Sequence, residues 1–105
     1  MCNTTDIDLT ALQDSAAHAC SLMKAMANAD RLMLLCQISQ GEKSVGELEE
    51  LTGIRQPTLS QQLTVLRDEG LVSTRRDGKK IYYSISSQSA LALMQVLYQE
   101  FCGNV

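Results

Sequence analysis

One hundred and five residues give room for one folded domain and no second. With 45% apolar and 20% charged residues, one Pro and six Gly, the composition is globular and excludes a disordered chain. The longest apolar run, Leu32 to Cys36, is too short to cross a membrane. The segment Met1 to Asp6 lacks the basic and apolar regions of a secretion signal, so a cytoplasmic location and a flexible tail over residues 1–7 are expected. Asn3-Thr4-Thr5 fits a glycosylation sequon, which has no meaning without a secretory route.

The net charge of −3 is unevenly spread. Residues 51–80 hold six basic side chains (Arg55, Arg67, Arg75, Arg76, Lys79, Lys80) and three acidic ones, net +3. The rest of the chain holds three basic and nine acidic residues, net −6. A basic segment in an acidic body is compatible with local phosphate contact, although on charge alone a solvated surface is the simpler account.

Asp8 to Ala27 reads as a first helix, with Leu9, Leu12, Ala16, Ala19, Met23 and Ala27 at three- and four-residue steps. Asn28 and Asp30 are cap residues for a second helix carrying Leu32, Leu35, Cys36 and Ile38, ended by Gly41. Ser44-Val45-Gly46-Glu47 has capping-box spacing and opens a short third helix with Leu48 and Leu51 inward; Gly53 stops it. A fourth helix starts at Gln56-Pro57, with Pro at the first helical position, buries Leu59, Leu63 and Leu66, and ends at Gly70.

Asp77-Gly78 then signals a hairpin between strands 71–76 and 79–86. A two-residue turn there pairs Arg76 with Lys79, Thr74 with Ile81 and Val72 with Tyr83, and puts Val72, Ile81, Tyr83 and Ile85 on the core face. The last helix runs from about Ser87 to Cys102, with Ala90, Leu93, Met94, Leu97 and Phe101 on one side. This α-α-α-α-β-β-α order, mainly α with a two-stranded β wing, is that of a winged helix-turn-helix in a single domain over residues 1–105. A small structural domain without DNA binding shares the same periodicity.

The fourth helix carries more information. Opposite its leucine stripe lie Pro57, Gln61, Thr64 and Asp68, flanked by Thr58 and Ser60. Its N-terminal half shows Gln56, Thr58, Ser60, Gln61, Gln62 and Thr64, with no charge. Amides and hydroxyls can bond base edges in the major groove, where a solvated helix of ordinary type carries Glu and Lys. Arg75, Arg76, Lys79 and Lys80 at the hairpin tip suit phosphate or minor-groove contact, although edge strands also carry such residues to discourage aggregation. Terminal helices this apolar predict a symmetric homodimer, recognition helices roughly 34–36 Å apart and an inverted-repeat operator in double-stranded DNA.

Lys24-Ala25-Met26-Ala27-Asn28-Ala29-Asp30-Arg31-Leu32, Ser44-Val45-Gly46-Glu47-Leu48 and Gln56-Pro57-Thr58-Leu59-Ser60-Gln61-Gln62-Leu63, followed by the basic wing, resemble the ArsR family of bacterial repressors across residues 12–102. Ala29-Asp30-Arg31 departs from that pattern, since many members carry a Pro there. The resemblance implies a DNA-binding repressor. Metal-sensing members bear a Cys-x-Cys-type motif where this chain reads Glu47-Leu48-Glu49-Glu50-Leu51, or Asp and His ligands on a last helix that here has neither. His18 is the only His, so a metal site is not expected, and neither is a cofactor.

Cys36 and Cys102 resemble the cysteine pair of the persulfide-sensing, BigR- and SqrR-like branch of this family. That likeness implies that a persulfide or oxidant joins the two sulfurs, directly or through added sulfur, and releases DNA. Each thiol has a plainer account: Cys36 lies near an apolar stripe and can be core packing. Cys20 reads as a packed or bystander thiol, and Cys2 carries no assignment. A general peroxide or disulfide-stress sensor and a metal(loid)-responsive repressor are the rivals within DNA binding. Outside it stand a protein-interaction module with a winged fold and a thiol oxidoreductase. The chain contains no Cys-x-x-Cys, no nucleophile–base pair and no phosphate loop, so no enzyme is expected.

Overall fold

The computed structural model describes residues 8–102; the expected N-terminal tail, the Asn3 sequon and Cys2 lie outside them. The elements are α1 (Leu9–Met26), α2 (Ala29–Ser39), β1 (Lys43–Ser44), α3 (Val45–Thr52), α4 (Thr58–Asp68), β2 (Val72–Asp77), β3 (Lys80–Ile85) and α5 (Gln88–Phe101). N-cap side chains that satisfy the free amides of the first turn start four of the five helices; α4 draws instead on Gln56, which precedes its N-cap. Asp8 accepts from the Thr10 and Ala11 N–H groups, Asn28 from Arg31 and Ser87 from Ala90. Ser44 and Glu47 form the expected capping box, each accepting the other's backbone N–H, at 3.2 and 2.8 Å. The Ser44 backbone N–H, and after it the Ser44 hydroxyl, hold the Glu47 carboxyl below the ordinary carboxylate range.

The fourth helix begins one residue later than the sequence suggests, with Pro57 as its N-cap. At its other end the Leu71 N–H reaches the Leu66 carbonyl and the Gly70 N–H that of Arg67, a Schellman closure with Gly70 at φ +79°. The Leu71 carbonyl in turn accepts from the Ser86 and Ser87 N–H groups. The base of the hairpin is thereby fixed to the end of α4.

The hairpin differs from expectation in register. Thr74 pairs with Tyr83, Val72 with Ile85 and Asp77 with Lys80, two positions from the predicted alignment. Gly78 and Lys79 are therefore the central turn residues, Gly78 at φ +64° and Lys79 at negative φ, as in a type II′ turn. The alternative turn would force positive φ on Asp77, which glycine accepts at far lower cost. A shift of two preserves the alternation of faces, so Val72 and Tyr83 are buried and Ile85 half-buried as expected. Ile81 is not in the core: it pairs with Arg76 near the tip, past the helical body, and is exposed. The sheet also has a third strand that the pattern does not signal, since β1 of two residues pairs with β3 in the order β1-β3-β2.

Seven leucines (Leu34, Leu35, Leu48, Leu59, Leu63, Leu66, Leu71) are essentially fully buried, each contributing roughly 1.5–3 kcal/mol of transfer free energy. The central helix α2 packs against α1, α3, α4, α5 and β3. Leu51 is exposed, contrary to expectation, because α3 ends there and Ile54 beyond the Gly53 turn packs on the core instead. Leu9, Leu12 and Met23 of α1 and Val96, Tyr98 and Phe101 of α5 are exposed in the single chain. None of the helices is long and apolar enough to cross a membrane, among the described residues.

Candidate nucleic-acid interface

Burial of Leu59, Leu63 and Leu66 turns the opposite face of α4 outward. Pro57, Ser60, Gln61, Thr64 and Asp68 are exposed there, with Gln56 just before the helix and Thr58 half-buried. Two of these groups have local bonds. Gln56 Oε1 accepts from the Ser60 N–H at 3.1 Å, acting as a cap, and the Thr64 hydroxyl donates to the Ser60 carbonyl at 2.8 Å. Gln62 differs from the others: it is half-buried, and its Oε1 accepts from Arg31 Nη1 at 2.8 Å. Gln61 makes no side-chain hydrogen bond among the described residues, so both amide functions face outward.

The wing cations are of two kinds. Arg75 donates to Glu42 through Nη2 at 2.8 Å and Nε at 3.0 Å, lies 3.7 Å from Asp77, and covers the Tyr82 ring at 4.7 Å from its centroid. Among the described residues both salt bridges belong to Arg75; Arg76, Lys79 and Lys80 are exposed and make none. Sequence reading placed all four together and missed Glu42, whose role depends on the unsignalled strand β1.

Cys36 is half-buried on α2, and Cys102 is exposed at the C-cap of α5, its N–H donating to the Tyr98 carbonyl at 2.8 Å. Burial first, and then the negative charge that Cys102 develops, push the Cys36 thiol above its ordinary pKa. Cys20 is an exposed thiol of α1 and does not pack. A cleft of about 280 Å³ between α1, the α4–β2 turn and α5, lined in part by His18, Leu22 and Glu69, is open. Among the described residues no buried side-chain polar atom lacks a partner, and no group of three His, Cys, Asp or Glu side chains converges on a metal position.

A helix pair with a tight glycine turn, a second helix whose outer face is uncharged over its N-terminal half and a basic ribbon beside it define a winged helix-turn-helix DNA-binding regulator. Residues 28–74 match the bacterial regulatory protein family arsR. The chain is 50% identical over 98 residues to the biofilm growth-associated repressor of Agrobacterium fabrum, covering 93% of this chain and 84% of that protein. The transcriptional activator HlyU of Vibrio cholerae is 38% identical over 96 residues, 91% of this chain and 89% of its own. The crystal structure of the repressor BigR from Xylella fastidiosa superposes with a TM-score of 0.87 at 45% identity, covering 91% of this chain and 98% of that one. The chain belongs to the ArsR family: it is a BigR-like DNA-binding transcriptional regulator and not an enzyme.

Proposed function

We propose that the chain acts as a homodimeric, cytoplasmic repressor that binds an inverted-repeat operator when reduced and releases it when Cys36 and Cys102 are joined. The observation that carries this reading is the packing of α2, which holds Cys36, against α5, which ends at Cys102; the Cys102 charge adds to burial in raising the Cys36 thiol. A bond there links the central helix to a terminal helix, and so to the spacing of two recognition helices. Repression, and not activation, is favoured by the name of the 50%-identical relative. Gln56, Thr58, Ser60, Gln61 and Thr64 form the base-facing set, and Arg76, Lys79 and Lys80 the phosphate-facing set. The bare apolar faces of α1 and α5 supply the dimer interface.

The chemistry balances with a low-molecular-weight persulfide as oxidant. Exposed Cys102 attacks the outer sulfur of RS–SH as thiolate and expels RSH, leaving a protein persulfide. Cys36 then attacks the inner sulfur and expels hydrogen sulfide, so two thiols and RSSH give a disulfide, RSH and hydrogen sulfide. A second RSSH lengthens the bridge by one sulfur and releases a second RSH. Hydrogen peroxide gives the plain disulfide and two waters. Intact mass and peptide mapping of reduced protein after glutathione persulfide, with peroxide in parallel, test the reading. Added sulfur between Cys36 and Cys102 with persulfide supports a reactive-sulfur sensor. Loss of two hydrogens with both reagents makes it a general thiol switch, and no Cys36–Cys102 link with either overturns it.

A further inference from the structure

Arg31, in the first turn of α2, is bonded to two other helices at once. Its Nε donates to the Ala25 carbonyl at 2.6 Å and Nη2 to the Lys24 carbonyl at 3.2 Å. Both acceptors lie in the last turn of α1, where a cation is favoured; the Lys24 carbonyl also takes the Ala27 N–H of the C-cap. Nη1 donates to Gln62 Oε1 on α4 at 2.8 Å. One planar group with donors at fixed angles therefore ties the end of a terminal helix to the middle of the DNA-facing helix. A lysine ammonium, a point charge on a flexible stem, cannot reproduce that fork.

We propose that Arg31 is a positioning residue for operator reading: with Gln62 as its partner, it sets the rotation and height of α4 against the end of α1. Gln62 then serves α4's placement and not base contact, although its sequence position suits the latter. Gln61, one residue before it and facing outward, remains the base reader. This rests on the reading of α4 as the helix that enters the groove.

The test is a double-mutant cycle on specificity. A duplex is selected from a random-sequence pool by reduced wild-type protein, and its affinity is divided by that of a scrambled duplex at one salt concentration. The ratio is measured for Arg31→Lys, Gln62→Leu and the pair, with thermal melts to confirm folding. Each single change is expected to lower the ratio on the order of tenfold, the pair no further than the worse single, and scrambled-duplex binding to stay constant. Gln62→Leu keeps both bonds from Arg31 to α1, so it carries the test even should Arg31→Lys not fold. Independent, multiplying effects, or an unchanged ratio in folded Arg31→Lys, overturn the clamp. So does Gln62→Leu relaxing preference at one base pair only. If Gln61→Ala retains the full ratio, the placement of α4 in the groove fails instead, and the clamp's purpose with it.

Discussion

The Arg75 guanidinium holds the Glu42 carboxylate through paired hydrogen bonds of 2.8 and 3.0 Å, joining the wing to the segment before β1. Arg75 is thus neutralised where it stands and braces the ribbon, while Arg76, Lys79 and Lys80 make no salt bridge among the described residues. The hydrogen bond from Arg75 keeps the Glu42 carboxyl below the ordinary carboxylate range. A lowered pKa means that the contact is complete above the ordinary value and is lost only as pH falls through the lowered one. Glu42→Gln is expected to leave Tm nearly unchanged, since exposed ion pairs contribute little. It frees one cation per subunit, two in the dimer, so the slope of log affinity against log salt steepens by about 1.8. An unchanged slope means that Arg75 stays bound to the ribbon without Glu42.

Helix identities were legible because caps and leucine spacing are local signals: Asn28 and Ser44 each cap where the sequence puts them. The hairpin register was not, because Asp77-Gly78 can form the turn in two alignments that bury the same face. The cost of positive φ at Asp77, which the observed turn avoids, decides between them. Ile81 and Leu51 read as core because periodicity reports which face a residue is on and not whether another element covers it. In the candidate interface, composition singles out the outer face of α4, but Gln62 and Arg75 look like their neighbours in sequence. Their partners Arg31 and Glu42 are 31 and 33 residues away.

Replacing Gln61 removes the outward amide that no protein group uses. Gln61→Ala is expected to weaken operator binding by roughly 1–3 kcal/mol and leave random-sequence binding intact. Lys79→Ala or Arg76→Ala should lower the salt slope by about 1 per subunit, about 2 for the dimer, without changing base preference. Equal losses on both kinds of DNA for Gln61→Ala would place it among the phosphate contacts.

The turn makes an opposed pair of predictions. Gly78→Ala puts a Cβ at φ +64° with no atom crowding it, so only backbone strain remains, about 1–2 kcal/mol. At roughly 4–8 °C per kcal/mol this is readily seen in a thermal melt. Asp77→Ala, at a strand position paired with Lys80, should leave Tm almost where it was. The reverse order of effects would restore the Asp77-Gly78 turn.

The apolar faces of α1 and α5 give a prediction about assembly. Leu12→Glu and Val96→Glu, both at exposed sites on the terminal helices, are expected to yield monomers in sedimentation and lose operator binding. Met33→Glu, equally exposed but on α2, should remain dimeric. Stability of a dimer depends on protomer concentration, so the comparison is made at one concentration. A dimer that survives both terminal-helix changes moves the interface elsewhere.

Cys36 titrates late for two reasons of unequal size, and the difference can be measured. Burial is the larger and the Cys102 charge the smaller. The rate of Cys36 alkylation by iodoacetamide should therefore reach half its maximum above the ordinary thiol pKa of about 8.5. In Cys102→Ser the midpoint should fall part of the way and remain raised, because burial persists. The folded state holds this proton more tightly, so its contribution to stability is intact below the ordinary pKa and is lost as pH rises through the raised one. At any given pH the raised pKa leaves less of Cys36 as thiolate than an ordinary thiol has, so alkaline pH is expected to speed its closure onto a Cys102 persulfide. Cys36→Ser and Cys102→Ser should each bind operator as the reduced wild type does and no longer release it on persulfide addition. Release by both variants at the wild-type rate would remove the pair from the switch and leave Cys36 as a packing residue of α2.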